Sequence, residues 1–419
     1  MTVYAAQNTN TTITNAGNIG VGNTTANSRS MGIHGNLNLT NQATGRIHRI
    51  AYSYGTATFN NQGIFREIAL QVQSKVTNLN NSGTITTINM GGTSINDINN
   101  TRTITNLNMN AGTLTGGRNS GTITNFVVQN ANTRVNGFEN TGTITTFRTN
   151  NSSTVATLTN AGTITTLING SGGLSGSNWI YRGVATIDTL DNSGRINGFT
   201  NGTGAIINTF NNTGTLVRTG NTNNNFGTIG TFSNSGAGNI DFVRNGGSST
   251  STARITRLDN SATFGELINS SISQSTSLID TLNNSGTFTT ITNAGDSGTA
   301  QARIGILNNQ TQGTITTLNN QARGTITTLN NHGNVTTLSN AGTITTLNNQ
   351  ANATITTLTN QGRIQELNNN GTITNGITNQ ANATITNLNN RANLSSITNS
   401  GTITTLNNEN NATITTLTN

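Results

Sequence analysis

The chain has 419 residues, with 48 Gly, no Pro and no Cys, and only 7% of its residues are charged. Apolar residues make up 31%, too few for a compact multi-domain globule, where about 45–50% including Gly is usual, yet the chain lacks the charge or proline of a disordered one. The formal charge of +7 is 19 basic against 12 acidic residues; without Cys there is no disulfide framework or thiolate metal site, and no apolar run reaches the roughly 18 residues of a membrane helix.

The N-terminus, Met1-Thr2-Val3-Tyr4-Ala5-Ala6-Gln7-Asn8, has neither the basic region nor the apolar core of a signal peptide. An exported protein would then be represented here by a mature or excised piece. Residues 1–80 are irregular and hold Tyr4, Tyr52 and Tyr54; Ile64-Phe65-Arg66-Glu67-Ile68-Ala69-Leu70-Gln71-Val72 is the richest apolar stretch. Divergent coils or a cap are expected there.

From residue 81 to 419 a unit G-T-I-T-T-L-N-N-x recurs. Clear copies are Gly83-Thr84-Ile85-Thr86-Thr87-Ile88-Asn89, Gly162-Thr163-Ile164-Thr165-Thr166-Leu167 and Gly342-Thr343-Ile344-Thr345-Thr346-Leu347-Asn348-Asn349. In Thr-Ile-Thr, strand alternation turns the Ile inward and both Thr outward, and β-branched residues suit that pleated surface. Leu three positions later is a second inward anchor past a bend. Asn and Gly supply the corner, since both accept positive φ, and stacked Asn side chains can hydrogen-bond along the axis as ladders. No unit can bury its own Ile and Leu, so neighbouring units must stack. A helical reading is poor, because Thr, Asn and Gly are weak helix formers and no 3.6-residue apolar stripe persists.

The central positions Ile95, Ile104, Leu114, Ile123, Val135, Ile144, Val155 and Ile164 are separated by 9, 10, 9, 12, 9, 11 and 9 residues. Two units would make one coil of about 20 residues. After Ile326 the steps become 9, 9, 11, 9, 9 and 12, with extra residues at Gln350-Ala351-Asn352-Ala353 and Gln380-Ala381-Asn382-Ala383, which leaves open a three-unit coil of about 29 residues. The expected fold is all-β: a parallel right-handed β-helix, or β-solenoid, of about twenty coils. Insertions break the spacing near 168–186, 217–254 and 268–303 and are expected as loops on one face. The first carries Trp179 and Tyr181, an aromatic pair suited to stacking on sugar or protein or to packing the loop down.

No catalytic constellation is legible. Asp191 and Asp259 stand where the first Asn of L-N-N belongs, and Asp188 and Asp280 replace a Thr after the central Ile. Their spacing places Asp188 and Asp280 on distant coils, too far apart for an acid/base pair. His34, His48 and His332 have no partner at metal-ligand spacing, and nothing resembles a nucleophile elbow or a phosphate loop. No enzyme activity and no cofactor are expected. Cations sit singly, as at Arg102, Arg118, Arg134 and Arg148, which reads as solubilising charge and not as a nucleic-acid groove.

The run Asn160-Ala161-Gly162-Thr163-Ile164-Thr165-Thr166-Leu167 resembles repeats of large autotransporter passengers, in particular the vacuolating-cytotoxin-like group, over roughly residues 80–419. The resemblance implies a right-handed parallel β-helix displayed at, or released from, a Gram-negative outer surface, with roles in adhesion. The chain stops mid-pattern at Leu417-Thr418-Asn419 without a translocator barrel, and the GxxxG-rich pore segment of such cytotoxins is absent, so membrane insertion is not carried over. The leading expectation is a non-enzymatic extracellular rod that contacts a host or neighbouring cell surface and stacks end to end with copies of itself. An ice-binding solenoid with Thr-Ile-Thr columns and a carbohydrate-active β-helix enzyme are the alternatives.

Overall fold

The computed structural model describes residues 2–4, 10–20, 31–170, 184–220, 223–247, 251–296, 298–409 and 411–419. Trp179 and Tyr181 lie outside these. The described chain is a β-solenoid without helix, of about 18 turns roughly 20 residues apart. Contacts divide it into one unit of Met1–Phe199 with Ala205–Ile207, and a second of Thr200–Gly204 with Asn208–Asn419.

In the first unit Thr84 lies beside Thr103, and the same column continues through Thr122, Thr143 and Thr163, with every pairing parallel. In the second unit Thr325, Thr343, Arg363, Thr384 and Thr402 form an equivalent column. Each pairing returns after two repeat units, so the coil has two sides and the three-unit coil is excluded. The three-unit rhythm has another origin. Toward the C-terminus every third corner carries two extra residues, so long corners alternate between the two sides of a two-unit coil. At these corners Asn352, Asn382 and Asn411 adopt φ of 66°, 66° and 57°. The turns are closed by Ala353 N–H to Gln350 C=O at 3.1 Å and Ala383 N–H to Gln380 C=O at 3.0 Å.

The interior has three inward positions per unit, not two. Ile344 and Leu347 are fully buried, and so is Asn349, the second Asn of L-N-N. These asparagines stack. In the first unit Asn15, Asn41, Asn61, Asn81, Asn100, Asn119, Asn140, Asn160 and Asn192 are joined amide to amide at 2.6–2.8 Å. The second unit has one such ladder on each side, Asn212 to Asn408 and Asn201 to Asn419. The reason is the corner. A tight turn leaves carbonyls facing inward, and a buried carbonyl needs a donor. Asn160 supplies it: besides Asn192, its amide nitrogen donates to Gly162 C=O and Arg195 C=O, each at 3.2 Å.

The exception supports this account. On the other side of the first unit the equivalent column reads Tyr52, Leu70, Met90, Met109 and Val128. At Leu70 and Val128 the corner is a turn, with Gln73 and Asn130 at positive φ, and a hydroxyl supplies the donor, Ser74 Oγ to Gln71 C=O at 2.7 Å and Thr133 Oγ1 to Gln129 C=O at 2.5 Å. At Met90 and Met109 the chain does not turn but runs through as the long strands Thr84–Asn100 and Thr103–Asn119. Each of these two strands is bent only by a glycine, Gly92 or Gly112, at φ of 101° and 100°. A strand that keeps its ladder hydrogen bonds leaves no orphan carbonyl, so the corner can be apolar. The column then changes to Thr149 and Asn169, and the corner after Thr149 is again a turn, with Asn151 and Ser152 at positive φ.

Candidate functional site

Several acidic residues tie coils together. Arg49–Glu67 at 3.2 Å, Arg118–Glu139 at 3.4 Å, Arg254–Asp280 at 2.5 Å and Arg391–Glu409 at 3.0 Å join adjacent coils. Arg218 reaches Glu266 at 2.9 Å, lies 4.3 Å from the centre of the Phe242 ring, and donates its backbone N–H to Asp241 at 3.2 Å. Exposed pairs of this kind contribute about 0–1 kcal/mol each, so they steer register more than they stabilise. His34 Nδ1 contacts Ser53 Oγ at 2.8 Å. His332 occupies a corner, its backbone N–H bonded to Asn309 C=O at 2.7 Å. Among the described residues no three His, Asp or Glu side chains converge on a metal-sized space.

A second amide ladder runs on the outside. Asn407, Asn389, Asn368, Asn348, Asn330, Asn308 and Asn283, each the first Asn of its L-N-N, are half-exposed or exposed and bonded at 2.8–3.0 Å. It ends on Asp259, which accepts from Asn283 at 2.8 Å and from Arg257 Nε at 2.6 Å. The hydrogen bond to Asp259, then its charge, raises the Arg257 guanidinium above its usual value. In the first unit, Asn108 donates to Asn89 and Asn89 to Glu67, at 3.0 and 3.2 Å. Again a carboxylate stands at the N-terminal end.

The feature that sequence reasoning missed is the sidedness of charge in the first unit. Arg46, Arg49, Arg66, Arg148 and Arg195 lie on the side whose columns pass through Ile47, Phe65, Ile85, Ile104, Ile123, Ile144, Ile164 and Ile196. Arg102 is at the corner entering that side. All but Arg49 are exposed. One acid, Glu67, accompanies them. His48 and Arg66 sit side by side, between the paired positions Ile47/Phe65 and Arg49/Glu67. The opposite side carries Lys75, Arg118 and Arg134 against Asp97, Glu139, Asp188 and Asp191. The two sides therefore differ in formal charge, +5 against −1 among the described residues. Cations that look solitary along the chain are gathered once alternate units fall on opposite sides.

No protein-family model, curated protein or solved structure matches the chain. No helix among the described residues is long and apolar enough to cross a membrane.

Proposed function

We propose that this chain is a non-enzymatic repeat scaffold, displayed outside the cell as an adhesin or passenger stalk. The observation that carries the reading is the division of labour among side chains. Buried Ile, Leu and Asn are committed to coil-to-coil stacking, as at Ile344, Leu347 and Asn349. Six of the twelve carboxylates are paired with arginines of the same or nearby coils. What is left for a partner, outside the basic side of the first unit, is a regular surface of Thr hydroxyls and Asn amides. Such a surface suits many weak polar contacts repeated along a lattice, where multivalency supplies the affinity that no single contact has. The resemblance to autotransporter passenger repeats favours the same placement.

The test is binding of the purified, labelled chain to epithelial cells and to immobilised matrix proteins and glycans. Saturable binding to one of them supports the adhesive reading; no binding to any removes it. Ice binding is the second reading, favoured by the outward columns Thr325, Thr343, Thr384 and Thr402. Arg363 interrupts them in register, which places it behind. Thermal hysteresis at micromolar protein would promote it, and its absence would dismiss it.

A further inference from the structure

We infer that the basic side of the first unit is a docking rail for a linear anionic polysaccharide, running along the stacking direction. The inference concerns one side of one unit and stands whether or not the chain is displayed on a surface.

The argument begins with spacing. Counting coils from the one that holds Arg46 and Arg49, Arg66 is on the next, Arg102 at the third, Arg148 on the fifth and Arg195 on the seventh. Parallel strands lie about 4.8 Å apart, so the arginines span on the order of 35 Å along the stack. Arg46 and Arg195 share the Thr103 column, Arg102 lies one position before it and Arg66 two after it, whereas Arg148 lies five after it. A compact anion would meet one or two of them. An extended polymer with regularly repeated carboxylates or sulfates would meet Arg46, Arg66, Arg102 and Arg195 in turn, with Arg148 to one side of its path.

The second step is availability. Arg118 on the opposite side of this unit is held by Glu139, and Arg254, Arg257 and Arg391 of the second unit are held by Asp280, Asp259 and Glu409. On the basic side, among the described residues, only Arg49 is engaged with an acid, Glu67. Arg195 donates to the neutral Asn197 at 2.6 Å. An exposed guanidinium with no acid partner keeps its planar fork for an incoming carboxylate or sulfate, which it binds bidentately.

The third step separates a polysaccharide from a nucleic acid. Single-stranded nucleic acid is held by base stacking on aromatic rings as well as by charge. Among the described side chains the only exposed Phe or Tyr is Tyr54. Between the arginines the surface offers Thr84, Thr86, Thr103, Thr105, Thr122 and Thr124, all half-exposed. Hydroxyls in columns match sugar hydroxyls and ring oxygens, not bases.

The experiment uses the full chain and dextran sulfate and polygalacturonate as probes, with affinity followed against NaCl concentration. The triple variant Arg66→Gln, Arg102→Gln, Arg195→Gln is compared with Lys75→Gln, Arg118→Gln, Arg134→Gln, which removes the same charge from the opposite side. All six positions are exposed, and equal melting temperatures verify the folds. The first variant is expected to lose binding and to flatten the slope of log affinity on log salt by roughly two to three, at about 0.7–0.9 per ion pairing removed. The second is expected to retain both. Equal losses in the two variants would show that net charge alone acts, and no binding by the unaltered chain would end the proposal. Tighter binding to an oligothymidylate than to either polysaccharide would overturn it in favour of nucleic acid.

Discussion

Asn283 donates its side-chain amide to the Asp259 carboxylate at 2.8 Å, and that bond ends a file of seven asparagines. The outer file donates toward the N-terminus, as Asn308 does to Asn283. The buried file beside it donates toward the C-terminus, as Asn284 does to Asn309. Two rows of amide dipoles thus run antiparallel, and their ends partly cancel. The donor end of the outer row is where a carboxylate sits, for the reason that favours acids at helix N-termini.

Replacement of Asp259 tests the cap. Asp259→Leu leaves the Asn283 amide and Arg257 without their acceptor and is expected to lower stability by about 1–2 kcal/mol, the scale of a missing helix cap. Asp259→Asn keeps an acceptor for Asn283 and lengthens the ladder, so it is expected to cost about 0.5 kcal/mol or less. Urea unfolding of both variants gives the comparison, and equal losses would show that the carboxylate's place at the ladder end is incidental.

The buried corner position gives a sharper contrast, because the same site is polar in one column and apolar in another. Asn309 accepts from Asn284 and donates to Asn331, Gly313 C=O and Asn334 C=O at 2.8–3.1 Å. Asn309→Leu would orphan several buried groups at once and is expected to cost about 3 kcal/mol or more. Met109 lies between Met90 and Val128, so Met109→Leu is expected to cost less than about 1.5 kcal/mol. Met109→Asn would bury an amide with no laddered neighbour and should approach the Asn309→Leu loss. Calorimetric melting of the three variants would refute the carbonyl account if Met109→Asn proved harmless.

The two inward hydrocarbon positions are legible in the sequence because alternation within Thr-Ile-Thr admits one reading. The coil size is nearly so: the 9-residue steps are the strands, and only the long corners at Asn352 and Asn382 imitate a three-unit period. The burial of Asn349 is not legible, since a polar residue next to a turn reads as surface until its carbonyl partners are known. The charged side escapes for a related cause. Arg66, Arg102 and Arg148 are far apart in sequence, and only the column assignment of each unit reveals that they share a side. Asp259 is recognisable as an Asn substitute, although its place at the end of a ladder depends on what stacks beneath it.

Tyr52 gives a pH dependence. Its ring is fully buried and its hydroxyl donates to Gly35 C=O at 2.9 Å. Burial pushes its ionisation well above the usual phenol range. The folded state therefore holds the proton more tightly than the unfolded chain, whose phenol ionises near pH ~10. Its contribution is fully present below that pH and is lost as pH rises toward the folded value. Stability should fall above pH ~10 in the unaltered chain and fall less steeply in Tyr52→Phe. Parallel declines in the two proteins would assign the alkaline loss to other groups.

Deletion of residues 343–362 tests whether the coil is the unit of stability. The cut joins Gly342 to Arg363, so Asn331 meets Asn369 and Asn340 meets Asn379, and every column closes again with its own kind. Each coil contacts only its neighbours, so the shortened chain is expected to unfold at nearly the same denaturant midpoint, with a slightly smaller m-value. Deletion of residues 343–353 removes one side of one coil instead, and every later strand changes sides. The interior tolerates that, because in this stretch both sides offer Ile or Val, Leu and Asn. The outer surface does not. The outer column on one side is Asn330, Asn348, Asn368 and Asn389, whereas on the other it is Ser339, Thr359, Thr378 and Thr398. The swap sets Asn330 against Thr359 and cuts the ladder, at about 0.5–1.5 kcal/mol for each amide hydrogen bond broken. The half-coil deletion should therefore lower the midpoint although it removes fewer residues. If the full-coil deletion proved the more damaging of the two, sidedness would not be written in the outer asparagines.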